Sequence, residues 1–300
     1  MLQKSRYTRP YLFAIVMAVL LVCSTAWVLL STFVFAREEV PVETPVATPT
    51  PSTDTSAPTA TPNTPVISTD TQYDDGNIKI NIETVKQENL TYYVADIQLS
   101  DVKYLKTAFA QGKFGRNYTQ TTSQMAEENN AILAISGDYY GFRDNGIIIR
   151  NGTLYRDKAA DESLVVMSNG DFKIVKDSET SGEQLKAEGA IHSFSFGPTL
   201  VENGQYAPRT SKVNTNNPRT GIGQVGPLHY VFIVVDGRGA GGSQGLKMQD
   251  FAQLFVDRGC SVAYNLDGGG TSTMWMNGKV VNNPSYGEER RLSDIIYIGK

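Results

Sequence analysis

Cysteine and histidine are nearly absent from this 300-residue chain, which holds two of each. One cysteine, Cys23, falls in an uncharged N-terminal run, so only Cys260 is left for the rest, and no disulfide within a soluble domain can form. That excludes a small secreted scaffold held by disulfides, and the lack of a Cys/His pattern excludes a zinc site. A basic surplus is also missing: 27 Lys and Arg stand against 31 Asp and Glu, for a net charge of −4. A nucleic-acid binder would normally carry the opposite balance. With 40% hydrophobic residues the chain is neither wholly disordered nor built from many membrane spans.

Charge is unevenly distributed. Residues 1–36 carry +3 from Lys4, Arg6 and Arg9, residues 37–75 carry −6, and residues 76–300 carry −1 from 23 basic and 24 acidic side chains. Between Tyr11 and Ala36 no residue is charged. At about 1.5 Å per residue such a helix exceeds a hydrocarbon core of roughly 30 Å. Basic residues before it and acidic ones after it predict residues 1–10 in the cytoplasm, a retained transmembrane anchor at 11–36 in contact with the bilayer, and the remainder outside the cell. A cleaved signal peptide ending at Val34-Phe35-Ala36 is the competing reading; the apolar stretch is longer than the usual core of such peptides. Val22 before Cys23 argues against a lipoprotein signal.

Residues 37–75 hold seven of the thirteen prolines together with many Ser and Thr, and read as an extracellular, disordered linker or stalk. From Gly76 the pattern turns to short runs of Val, Ile, Tyr and Phe. Asn-Gly pairs recur at 145–146, 151–152, 169–170, 203–204 and 277–278, the strongest local signal for tight β-hairpins. Hairpins are predicted for Gly146–Arg150 with Thr153–Tyr155, Leu164–Met167 with Phe172–Val175, and Thr273–Met276 with Lys279–Val281. Helices are predicted at Thr119–Asn129, with a Thr121/Gln124 capping box, and at Met248–Arg258, with Met248, Phe251, Leu254 and Phe255 on one face. The fold class is therefore α+β: one mainly antiparallel β-sheet domain at 76–300 with a few packed helices, behind a single transmembrane helix and a stalk.

Four polar, Gly-containing segments stand out, three of them directly after apolar strands. Asn265-Leu266-Asp267-Gly268-Gly269-Gly270-Thr271-Ser272-Thr273 delivers a carboxylate, three glycines whose N–H groups can converge on an anion, and three hydroxyls. Asp236-Gly237-Arg238-Gly239 adds an acid and a guanidinium suited to bidentate phosphate capture. Asn217-Pro218-Arg219-Thr220-Gly221 supplies a second Arg beside a hydroxyl, and Ser136-Gly137-Asp138-Tyr139-Tyr140 an acid with aromatics able to stack on a sugar. Cys260 reads as a buried strand residue, and His192 and His229 as structural residues more than phosphate donors.

Taken in order, these segments and Ser195-Phe196-Gly197-Pro198-Thr199-Leu200 resemble the phosphodiester glycosidase family, which includes the lysosomal uncovering enzyme and many bacterial exopolysaccharide biosynthesis proteins. The resemblance covers roughly 76–300. It departs at Ser136, where Asn is common, and at Thr271, where Ser is usual. It implies hydrolysis of a sugar-1-phosphodiester such as an N-acetylglucosamine-1-phosphodiester, in surface glycans or exopolysaccharide.

For that chemistry Asp267 is the first choice of catalytic carboxylate and Asp236 or Asp138 the second, since an oxocarbenium-like state needs carboxylates. Arg219 and Arg238 should hold the phosphate, assisted by Gly268, Gly269, Gly270, Thr271, Ser272, Thr220 and Tyr139. No cofactor or metal is assigned, although Asp138, Asp236 and Asp267 would suit Ca²⁺ or Mg²⁺ if they converged. The readings left open are a non-catalytic phosphoglycan-binding module and a phosphodiesterase that cleaves P–O.

Overall fold

The computed structural model describes residues 8–39, 66–207 and 214–300. Thr8–Phe33 is a helix whose Tyr11–Phe33 part has a mean hydropathy of 2.6 and is exposed throughout, long and apolar enough to cross a membrane. The Pro-rich residues 40–65 of the expected stalk lie outside the described residues, as do residues 1–7. The flanks of that stalk are structured. Arg37–Glu38 pairs antiparallel with Gly115–Arg116, and a Cβ on Gly115 would collide with the Arg37 carbonyl. Ile67–Ser68 and Gln72–Asp74 add two strands to the edge of the main sheet and bury Tyr73. The domain thus starts nearer residue 66 than 76. Proline and acid content outweighed the two short β-prone runs in the sequence reading.

Nine antiparallel strands form the main sheet. Their order is Gln205–Tyr206, Thr199–Glu202, Val262–Leu266, Arg219–Gly226, His229–Val235, Leu90–Leu99, Ile78–Gln87, Gln72–Asp74 and Ile67–Ser68. Five more strands, ordered Lys279–Val280, Met274–Met276, Leu133–Ser136, Asp294–Ile298 and Leu105–Phe109, form a second antiparallel sheet. Strand alternation sorts the side chains between layers. Tyr93, Ala95, Phe232 and Val234 of the large sheet meet Leu133, Ile135, Met274 and Ile296 of the small one. Their neighbours Tyr92, Val94, Val231, Ile233 and Val235 face the other way, onto Phe251 and Phe255. Val231–Val235 is apolar at every position because both its faces are covered.

The apolar stripe of Met248–Asp257 forms the helix predicted there. Thr122–Glu128 begins two or three residues later than expected because Gln120 is paired with Leu292, and its Thr121/Gln124 capping box is complete. It covers the outer face of the small sheet through Met125 and Ala126. A third helix, Gly182–Ala187, escaped the sequence reading, although its Ser181/Gln184 capping box was visible there.

All three predicted hairpins form. At 151–152, 203–204 and 277–278 both turn residues take positive φ, as a type I′ turn requires. At 169–170 only Gly170 does, and Asn145-Gly146 leads into a strand without making a turn.

Candidate active site at the strand ends

Four neighbouring strands of the main sheet bring their polar ends to one edge. Thr199 pairs with Tyr264, Thr220 with Leu266, and Arg219 with Val235. The segments beyond therefore lie in lateral order: Phe196–Pro198, then Asn265–Asp267, then Arg219, then Asp236–Arg238. Phe196, Asn265, Asp267, Gly268, Gly269, Arg219 and Arg238 line one cavity of about 190 Å³.

Asp267 sits where the two sheets meet. Its N–H donates to the Gly137 carbonyl (3.0 Å), and its main-chain oxygen lies 3.0 Å from Ser136 Oγ, which also contacts Thr220 Oγ1 at 3.0 Å. Thr220 is thus fully buried behind the cavity as a brace. Burial pushes the Asp267 carboxyl from its ordinary value up to about 7; Arg290 and the Thr271 hydroxyl pull it down, and Asp138 and Asp294 push it further up. Arg290 Nη2 lies 3.6 Å from Asp267 Oδ2, and the Arg290 side chain is half exposed. The sequence reading missed it; its only signal was the charged run Glu288–Arg291.

The glycine loop is less open to an anion than expected. The Gly269 N–H donates to the Pro218 carbonyl (3.0 Å), while the Thr271 and Ser272 N–H groups turn back on Gly268 and Gly269. Thr271 Oγ1 donates to the Gly268 carbonyl at 2.8 Å. Gly270 packs against the Arg290 side chain. Ser272 Oγ and Asn265 Oδ1 are buried without a hydrogen-bond partner among the described residues.

Both expected phosphate arginines reach the cavity. Arg219 is buried, donating from Nε to the Leu246 carbonyl and from Nη2 to the Thr215 carbonyl, each at 3.0 Å, and burial lowers its pKa. No ion-paired carboxylate neutralises it among the described residues. Arg238 is exposed, and its guanidinium lies over Gly269, where a Cβ would stand 3.1 Å from Nη2.

The expected second carboxylate is not in the cavity. Asp236 is buried behind it and accepts from Asn282 Nδ2 (3.0 Å), Asn283 N (3.0 Å), Asn283 Nδ2 (2.8 Å) and Tyr93 (3.3 Å). Burial raises its pKa and those bonds lower it. Asp138 accepts from the Tyr139 and Ser195 N–H groups, 3.6 Å from Arg150. Arg150 in turn pairs with Asp294 at 2.8 Å, and Asp294 Oδ1 accepts the Asp138 N–H. Both aspartates end apolar runs, so the sequence could not separate a braced acid from an exposed one. Among the described residues no three Asp, Glu, His or Cys side chains are grouped to hold a metal.

Tyr139 does not line the cavity; it is stacked on Phe142 (4.8 Å) and stands edge-on to Phe196 (6.2 Å), which does. His192 is buried, with its ring nitrogens facing the Asn151 N–H and the Leu105 carbonyl, and burial drives its pKa to about 3. His229 pairs with Asp96, near the other end of its strand. Cys260 is buried and its thiol pushed up to about 12.

The family model for phosphodiester glycosidases matches residues 129–299, the region that supplies every cavity residue named above. The chain belongs to the phosphodiester glycosidase family. A relative, the SPbeta prophage-derived uncharacterized protein YomE of Bacillus subtilis (strain 168), is 35% identical over 200 residues, 62% of this chain and 30% of that protein. The match thus spans under a third of that relative's length. Among solved structures, the zebrafish N-acetylglucosamine-1-phosphodiester alpha-N-acetylglucosaminidase catalytic domain, auto-inhibited by its pro-peptide, superposes with a TM-score of 0.63. It shares 17% identity and covers 80% of this chain and 85% of its own. A hypothetical protein from Synechocystis gives 0.52 at 12% identity, covering 74% and 62%. These likenesses show a shared fold.

Proposed function

We propose that the protein is a membrane-anchored, outward-facing glycosidase that hydrolyses sugar-1-phosphodiesters of the N-acetylglucosamine-1-phosphodiester kind in surface glycans or exopolysaccharide. The observation that carries this reading is the cavity in which one carboxylate, Asp267, stands beside Arg219 and Arg238. The helix at Tyr11–Phe33 supports the anchor, and the acidic stretch after it the outward orientation.

The phosphodiester lies on the two guanidiniums, which stabilise the charge of the departing phosphate. A phosphate leaving group needs little protonation, so Asp267 acts ionised. Its carboxylate faces the positive charge building at the anomeric carbon and takes the proton of the attacking water. The water oxygen bonds to C1, and the C1–O bond breaks with its electron pair on phosphate. A free sugar and a phosphomonoester result. Asp138 and Asp236 position the loops instead of touching the substrate. No metal or cofactor is assigned to this reaction.

Incubation with a sugar-1-phosphodiester in ¹⁸O-labelled water tests the reading. Label in the sugar is expected. Label in the phosphate would replace it with P–O cleavage, and saturable binding without turnover would leave a phosphoglycan-binding module.

A further inference from the structure

The 190 Å³ cavity at Asp267 is smaller than the roughly 300–1,000 Å³ that small-molecule sites usually occupy. It cannot enclose a sugar, a phosphate and a second ester group together. Phe196 lines it, and the same residue also lines a second cavity of about 430 Å³ with Arg143, Asn145, Asp161, Glu162 and Pro198. The two spaces differ in charge. The first carries two arginines. The second carries two carboxylates against Arg143, whose Nη1 already faces the Ser195 and Phe196 carbonyls at 3.3 and 3.4 Å. A phosphate belongs in the first and is disfavoured in the second.

Aromatic surface gathers between them. Arg143 lies over both the Phe196 ring (4.9 Å) and the Tyr139 ring (5.6 Å), and Phe142, stacked on Tyr139, is 45% exposed. A pyranose offers one C–H face and an edge of hydroxyls, which an aromatic wall facing amide, carboxylate and guanidinium groups matches. Beyond Arg238 on the far side stands Tyr286, 79% exposed, its ring 5.9 Å from the Arg238 guanidinium. Its φ of 67° is a costly conformation for an aromatic residue, and such strain concentrates at ligand-contacting segments.

Order along the sheet edge then fixes a direction. In a sugar-1-phosphodiester C1 lies between the ring and the phosphate, as Asp267 lies between Phe196 and the arginine pair. We propose that the cavity behind Phe196 is the glycosyl-specificity site, holding the sugar ring whose C1 faces Asp267, and that the second ester group leaves past Arg238 over Tyr286. This assignment rests on the proposed hydrolysis for its kinetic test but not for its binding test.

For kinetics, substrates vary one end at a time: N-acetylglucosaminyl against glucosyl on a methyl phosphodiester, then methyl against mannosyl as the second ester group. Phe196→Ala is expected to cut kcat/KM about tenfold or more and to erase discrimination between the glycosyl groups while preserving it between the ester groups. Tyr286→Ala is expected to do the reverse, and interchanged effects would overturn the direction. For binding, saturation-transfer NMR on Asp267→Asn probes free N-acetylglucosamine, glucose and galactose. At least one sugar should bind, and Phe196→Ala or Asp161→Ala in the same background should abolish that signal while Tyr286→Ala leaves it. Absence of binding by all three, or loss through Tyr286→Ala, would overturn the site whatever the turnover assay shows. Asp161→Ala, at an exposed position, serves where Phe196→Ala does not fold.

Discussion

Replacing the carboxylate that the cavity is built around should make the protein more stable and inactive at once. Burial pushes the Asp267 carboxyl up to about 7, whereas in the unfolded chain it returns to its ordinary value near 4. The folded state therefore holds this proton more tightly. Stability from that proton is fully present below about pH 4 and is lost as the pH rises to about 7. Three pH units at about 1.36 kcal/mol each give an upper figure of ~4 kcal/mol by pH 8. Asp267→Asn keeps the shape and removes the ionisation. It should match wild type in stability near pH 4 and exceed it at pH 8 by up to that amount. Asp236 and Asp294 titrate with the same sign in both proteins and largely cancel from the difference, apart from the coupling of Asp294 to Asp267. Urea unfolding at pH 4, 6 and 8 reads the gap directly, and turnover should fall at least a hundredfold. A stability difference that stays flat across this window would refute the claim that Asp267 is a desolvated acid, and an equally active variant would remove it from the reaction.

Other outcomes follow from the same geometry. In the proposed reaction Asp267 acts ionised, so kcat/KM should climb with pH toward about 7 and then level off, and a rate that falls over that range would assign an acid role instead. Arg219→Ala should lose at least two orders of magnitude in turnover, with Arg219→Lys intermediate because a single ammonium cannot replace the fork that meets two carbonyls; phosphodiester hydrolysis by purified variants measures this. Dialysis against EDTA should leave the rate unchanged, and loss restored by one added ion would establish a metal. Ser181→Ala should cost about 1 kcal/mol in thermal or urea unfolding through loss of the capping hydrogen bond to Gln184.

The sequence revealed most where a local rule acts alone. Asn151-Gly152 and Asn277-Gly278 adopt the turn that their tolerance of positive φ requires, and the stripe through Phe251 and Phe255 lies on the sheet as its spacing demands. Asp267 and Arg238 were legible because each follows an apolar strand with glycine beside it, whereas Arg219 opens its strand and was legible only from the hydroxyl and glycine that come after it. Strand order was not legible, and it decides which of those ends adjoin. Asp236 and Asp138 carry the same local signature as Asp267, yet are braced by Asn282, Asn283 and Arg150 from distant parts of the chain. Arg290 is brought to Asp267 only by the fold of the C-terminal loop. Arg150 and Asp294 stand at the ends of apolar runs, where periodicity reads a charge as a strand boundary instead of half of a buried pair.

The pairing of Arg37–Glu38 with Gly115–Arg116 ties the end of the apolar helix closely to the domain. Four residues after the apolar helix ends at Phe33, the chain is already fastened to the domain. Glu39 meets Arg156 at 3.0 Å, and Asn117 reaches back to the Phe35 carbonyl at 2.8 Å. Only Val34, Phe35 and Ala36 lie between the helix end and this pairing, so the connection from helix to domain spans at most about 14 Å even when fully extended.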